Sequence, residues 1–284
     1  GATMTKQRKS GKRPPVKKAP VRTASPSSPS ASASLPALGS RRAWSATTRF
    51  VAVIVAVACV LFYMNIKDVY EAQTSALAAT ESTAQVTVER GDAALAFRPV
   101  AGAGDTGFIF YPGGKVEYES YAPLMQQLAQ RGVFCVLVEM PFELAILEKS
   151  AAGVYPADYP DIANWGIGGH DMGGRMAASY AAKNAESLSG LVLLGAYSSK
   201  DLTQSGLPVL SITAELDTVV DENRMEKYKE NLPEDTVEQT IAGGNHSGFG
   251  DYGLQDGDTE ATIPAAQQQE QTAQIIADWI AALP

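Results

Sequence analysis

At 284 residues, 45% of them hydrophobic, the chain is long enough for one domain of about 200 residues with a sizeable core. Two cysteines exclude a disulfide-stapled fold, and two histidines among scattered acids lack the spacing of a metal site. The net charge of −8 hides an asymmetry: residues 1–67 carry 12 of the 23 basic residues and no acid, which leaves 11 against all 31 acids, a net of −20, for the remainder.

That contrast predicts a tail and a separate domain. Residues 1–48 are rich in Ser, Pro, Ala and Lys, bury too little apolar surface to offset chain entropy, and are expected to be disordered. A basic tail can bind nucleic acid, but an apolar run follows directly, so no nucleic-acid partner is expected. The run Phe50 to Ile66, flanked by Arg49 and Lys67, has 17 residues, about 25 Å of helix and just enough for a bilayer core. Residues 49–67 are therefore expected to be an uncleaved transmembrane signal anchor, with a cytoplasmic N-terminus and an extracellular catalytic domain. Residues 68–82 read as a stalk and 83–284 as the domain. Cys59 falls in the apolar run and Cys135 in an expected buried strand, so the two should not pair.

Within the domain, Gln85–Arg90 and Ala94–Arg98 suit a hairpin across Gly91-Asp92. Thr106–Tyr111 reads as a strand ending at Pro112-Gly113-Gly114, and Tyr121–Arg131 has helical apolar spacing. Val133–Val138 is a continuous apolar strand, Phe142–Ser150 a helix, Trp165–Gly168 a short strand, and Met172–Asn184 a helix. Strands at Leu191–Leu194, Val209–Ile212 and Val237–Ile241 follow, with helices at Glu222–Glu230 and Gln267–Ala282. This alternation predicts an α/β class: one doubly wound, mostly parallel sheet. Only Ala196 to Leu207 separates two core strands, so no large cap domain is expected there.

The most informative stretch is Gly168-Gly169-His170-Asp171-Met172-Gly173-Gly174, between an apolar strand and a helix. Small glycines permit a strained strand–turn–helix corner that pushes Asp171 into the open above the sheet edge. His246, in Gly243-Gly244-Asn245-His246-Ser247-Gly248, follows the last expected strand and is the sole candidate base, because His170 belongs to the corner and should point into packing. Asp217, at the end of the strand from Val209, is the best acid to orient that imidazole; Glu215 and Asp221 are alternatives, and an acid here also suits a helix N-cap. Backbone N–H groups of Gly114 (or Lys115) and Met172 are candidates for an oxyanion hole. Gly102-Ala103-Gly104 precedes a strand instead of opening a helix, so no dinucleotide fingerprint and no cofactor is expected.

From about residue 83 onward the chain resembles serine hydrolases of the α/β-hydrolase superfamily, and is most similar to a membrane-anchored bacterial branch related to dienelactone hydrolases. The likeness is carried by Phe110 to Val116, by the corner at 168–174, by Ser211 through Asp217, and by His246 to Gly253 with its continuation to Ile263. The resemblance implies position 171 as nucleophile, Asp217 as acid, His246 as base, and a small-molecule ester or lactone as substrate. It departs from the family where Ser is usual: Asp171 occupies the nucleophile position.

Three functions fit that departure. In the first, the scaffold is a Ser-type acyl hydrolase and Asp171 inactivates or impairs it, its carboxylate held as a fixed charge by the hole and by His246, which then lies between two carboxyl groups. In the second, Asp171 is itself a nucleophile, as in the epoxide hydrolases and haloalkane dehalogenases this corner also resembles. Met172 in place of the halide-binding Trp, and an oxyanion loop without His-Gly-x-Pro, count against this. In the third, the domain is a non-catalytic envelope binding protein.

Overall fold

The computed structural model describes residues 45–66, 69–140 and 151–284. The tail expected over 1–48 lies outside them up to residue 44, as does the whole of the helix expected at Phe142–Ser150. The first helix, α1, runs Ala46–Ile66. The Ser45 hydroxyl accepts the Thr48 N–H at 3.1 Å, so the helix begins inside the segment assigned to the tail.

No helix among the described residues is long and apolar enough to cross a membrane. This corrects the span expected over 50–66. The continuous apolar run with described side chains, Phe50 to Val60, rises about 16 Å, roughly half of a bilayer core. Its large side chains are nevertheless exposed, Phe50 at 66% and Val53 at 59%.

Eight strands form one sheet: β1 Val86–Arg90, β2 Ala94–Pro99, β3 Thr106–Tyr111, β4 Phe134–Val138, β5 Asn164–His170, β6 Gly190–Leu194, β7 Val209–Ala214 and β8 Val237–Ile241. Their spatial order is β1-β2-β4-β3-β5-β6-β7-β8. β2 pairs antiparallel with β1 and β4, and β3 to β8 run parallel. The expected hairpin is present, in the register Val86↔Pro99 to Arg90↔Leu95. β5 begins one residue earlier than Trp165–Gly168 and runs two residues further along the chain, because Gly169 and His170 keep pairing with β6 up to Leu194.

The central strands are buried on both sides because alternate residues feed two cores. From β3 and β4, Phe108, Phe110, Cys135 and Leu137 enter the core under α3 (Ala122–Gln130) and α7 (Ala265–Ala281). Ile109, Tyr111, Phe134 and Val136 enter the opposite core under α5 (Met172–Asn184). Each large side chain so buried stabilises the fold by about 1.5–3 kcal/mol before entropy is counted. Two short helices complete the described chain before β5, α2 (Thr74–Ala78) and α4 (Tyr155–Asp158), and α6 (Glu222–Lys229) lies between β7 and β8.

The segment expected to be a stalk is instead bonded to the domain from Tyr70 onward. Tyr70 makes a parallel bridge to Val116, the Gln73 N–H donates to the Asp251 carbonyl at 2.9 Å, and Ala76 is fully buried. Hydrophobic patterning did not reveal this, because most of these ties are main-chain bonds to partners far away in sequence.

Candidate active site

The parallel strands β3, β5, β6 and β7 end along one edge of the sheet, and every candidate group lies in a connection leaving that edge. Asp171 joins β5 to α5 with φ 46° and ψ −116°, a conformation L-residues adopt only under strain costing about 1–3 kcal/mol. Close approach of α5 to the loop after β3 holds it there. A Cβ on Gly173 would collide with the carbonyls of Tyr111 and Pro112, and one on Gly169 would lie 2.6 Å from the Gly173 carbonyl carbon. The corner read from the glycine spacing is thus formed as expected.

Lys115 is the other non-glycine residue with positive φ among the described residues, at 60°, in the loop after β3. A Cβ on Gly114 would sit 3.2 Å from the Met172 Cε and 3.4 Å from its Cβ, so the two main-chain positions named for the oxyanion hole are neighbours. Met172 opens α5, where an N–H has no acceptor within the helix. The Gly113 N–H is engaged, donating to the Tyr121 hydroxyl at 3.0 Å.

His246 and Asp217 come together. The imidazole Nδ1 lies 2.8 Å from Asp217 Oδ2, with the two side chains 0% and 7% exposed. Asp217 Oδ1 accepts the N–H groups of Val219 at 2.9 Å and Val220 at 3.0 Å, which fixes the carboxylate as an acceptor and makes Nδ1 the donor. In the neutral ring that tautomer leaves the lone pair on Nε2, which is buried without a hydrogen-bond partner. The alternatives are otherwise engaged: Glu215 accepts the Gly243 N–H at 2.7 Å, and Asp221 caps α6 through the N–H groups of Asn223 and Arg224.

One expectation is corrected: Asp217 is the one carboxylate within ion-pair distance of His246 among the described residues, so no second carboxylate pairs with the imidazole at that range. His170 is fully buried in packing as expected, but that packing includes the candidate base: its ring centroid lies 4.2 Å from that of His246 and 5.4 Å from Phe249. Its Nδ1 lies 2.8 Å from the Tyr121 hydroxyl, which already accepts from Gly113 and so has its proton to give. Burial, and then the neighbouring His246, push the His170 pKa well below its ordinary value, partly offset by the His246 main chain. Burial chiefly, with the Asp171 charge adding and the Gly113 N–H opposing, raises the pKa of Tyr121. Both groups are neutral at pH 7.

The sequence also concealed what holds the two loops together. Asp258 Oδ2 accepts the Ser247 N–H at 2.8 Å and the Ser247 hydroxyl at 2.6 Å, and Oδ1 accepts the Thr218 N–H at 3.4 Å. It thereby ties the residue after His246 to the residue after Asp217. Buried Gln268 grips Asn245 from both sides, accepting its N–H at 3.0 Å and donating to its carbonyl at 2.7 Å. Asp258 lies in the stretch that carried the strongest family likeness, but nothing in its spacing announced a partner.

A strained strand–helix corner, an oriented imidazole and adjacent main-chain N–H groups lie together on the carboxyl edge of a parallel sheet. The family profile of the Alpha/beta hydrolase family matches residues 107–270, more than half of the chain, and covers all of these parts. The chain belongs to the Alpha/beta hydrolase family. Similar solved structures include a dienelactone hydrolase from Anabaena variabilis, at 17% identity and TM-score 0.51, covering 70% of this chain and 99% of that one. Another is a carboxyl esterase 2 from Tuber melanosporum, at 14% identity and TM-score 0.51, covering 76% and 92%. At such identities the likeness is one of fold. No curated protein matches by sequence. Family membership supports a hydrolase.

Proposed function

We propose that this is the site of a carboxylic ester or lactone hydrolase, with position 171 as nucleophile, Asp217 as acid and His246 as base. The N–H groups of Gly114 and Met172 form the oxyanion hole. The observation that carries the proposal is the buried His246–Asp217 pair, with Nδ1 committed at 2.8 Å and Nε2 left as an unpartnered base. In a chain with serine at 171, the hydroxyl oxygen attacks the ester carbonyl while Nε2 takes its proton. The two N–H groups donate to the negative oxygen, the alcohol leaves with the proton from Nε2, and water repeats the cycle on the acyl group.

Asp171 offers no alcohol hydroxyl for Nε2 to activate, and its attack on an ester would give an anhydride. The chain as it stands is therefore inactive or impaired. The runner-up function, a displacement by Asp171 on an epoxide or haloalkane, would use a helical cap carrying activating groups. Residues 196–207 between β6 and β7 contain no helix or strand, which weighs against it. A binding-only role has no observation in its favour.

The test compares the present chain with Asp171→Ser on short p-nitrophenyl esters, an epoxide and a haloalkane. Ester turnover by Asp171→Ser alone is expected. Epoxide or halide turnover by the unsubstituted chain would replace this proposal with the runner-up, and inertness of both chains would favour a binding role.

The proposal includes association with a cell membrane. Its support is the acid-free basic run ahead of the apolar residues and the exposed apolar side chains of α1. The chain should sediment with membranes; recovery of the whole chain in the soluble fraction would refute the placement.

A further inference from the structure

Residues 70–81 cross both loops that supply the proposed site. At one end the Tyr70 N–H donates to the Lys115 carbonyl at 2.8 Å, and the Glu117 N–H donates to the Tyr70 carbonyl at 3.0 Å. The Ala72 N–H adds a bond to Glu117 Oε2 at 2.8 Å. These bonds grip the loop immediately after Gly114, at the turn where Lys115 holds positive φ. Further on, the Gln73 N–H donates to the Asp251 carbonyl at 2.9 Å, and the Ser75 hydroxyl donates to the Asp251 carboxylate. The Tyr70 hydroxyl accepts the Asp256 N–H at 3.0 Å. These grip the loop that begins at His246. The far end is anchored to α3, where the Gln126 amide donates to the carbonyls of Ala79 and Glu81.

A line of rings continues inward from Tyr70. Its centroid lies 5.7 Å from that of Tyr252, and Tyr252 lies 6.4 Å from Tyr121. Tyr121 in turn bonds Gly113 and His170, and His170 packs on His246. Tyr70 thus touches neither the nucleophile position nor the base, yet its main chain and its ring reach both loops.

We propose that Tyr70, with Glu117 as its partner, is a positioning residue that sets the oxyanion loop against the histidine loop. The segment from Tyr70 to Glu81 is then a strap belonging to the catalytic unit. This rests on the function proposed above for its effect on catalysis, but not for its effect on the two loops.

The test uses the full chain in detergent micelles and follows backbone hydrogen exchange. Tyr70→Ala is expected to speed exchange at least tenfold at Gly113–Gly114 and at 246–250, none of which Tyr70 bonds, besides the amides of Glu117 and Asp256 that it does. Glu117→Ala is the milder variant should Tyr70→Ala fold poorly; it should do the same at Gly113–Gly114, and Glu117→Gln, which keeps an acceptor for Ala72, should restore slow exchange. Acceleration confined to the directly bonded amides would overturn the proposal. In the Asp171→Ser background, Tyr70→Ala should lower kcat on an ester at least tenfold with KM little changed, at a temperature where both chains are fully folded. Unchanged kcat there would also overturn it. Should Asp171→Ser hydrolyse no ester at all, the proposed function fails while the exchange result still decides the strap.

Discussion

Position 171 combines a side chain without an alcohol hydroxyl for a base to activate with a backbone conformation that side chains resist. At φ 46° and ψ −116° the corner stores strain that a glycine would not feel. Asp171→Gly should therefore raise stability by about 1 kcal/mol, the relief of strain exceeding the extra entropy of the unfolded glycine. Thermal melts of the two chains check this, and a lower midpoint for Asp171→Gly would mean that the aspartate makes stabilising contacts. His170 gives a second prediction. Its folded pKa lies below the unfolded value of about 6.5, so its contribution to stability is present above that pH and is lost as pH falls. Urea midpoints should decline from pH 7 to 5, and His170→Asn, although less stable at pH 7 for want of the Tyr121 bond, should show a shallower decline. The difference is bounded by about 1.4 kcal/mol per pH unit for one proton. Equal slopes would mean that His170 is not held neutral.

At the scale of elements, α5 and α6 differ in how tightly they are held. α5 sits so close to the loop after β3 that Gly173→Ala must displace two carbonyls; a loss of about 1–3 kcal/mol or more is expected by chemical denaturation, and a change below 0.5 would show the approach to be looser. α6 buries no side chain, and a cavity of about 300 Å3 lies beneath it, lined by Tyr197, Asp217, Met225 and Tyr228 among others. α7, by contrast, buries six residues. Amides of α6 should exchange well before those of α7, and equal protection would contradict the weak packing. Most elements were legible in the sequence, because apolar runs of strand length alternate with helical spacing. The corner was legible because glycines at 169, 173 and 174 have few other uses. What escaped were contacts that patterning does not encode: the Tyr121–His170 bond spans 49 positions, and the strap is held chiefly by main-chain groups.

For the whole molecule, the sequence separated a basic N-terminal stretch from an acidic domain, and the domain boundary moved. The expected start at 83 becomes a start near 70, since Tyr70, Gln73 and Ala76 are tied into the fold. The pairing of Asp217 with His246 was legible through chain order, each residue following a strand. The relation of Asp171 to the imidazole was not, since it depends on side-chain placement around a strained corner. A domain cut to begin at 83 should lose the strap's ties to both loops and melt lower than one beginning at 69.

The central claim is that this framework is built to activate a hydroxyl at position 171. Intact-mass measurement of the Asp171→Ser chain after exposure to a fluorophosphonate tests it without a guess at the substrate. The account predicts one adduct per chain, mapped to position 171, absent from the unsubstituted chain and formed at least a hundredfold more slowly when His246→Ala is added. No adduct, or an adduct whose rate ignores His246, would contradict it.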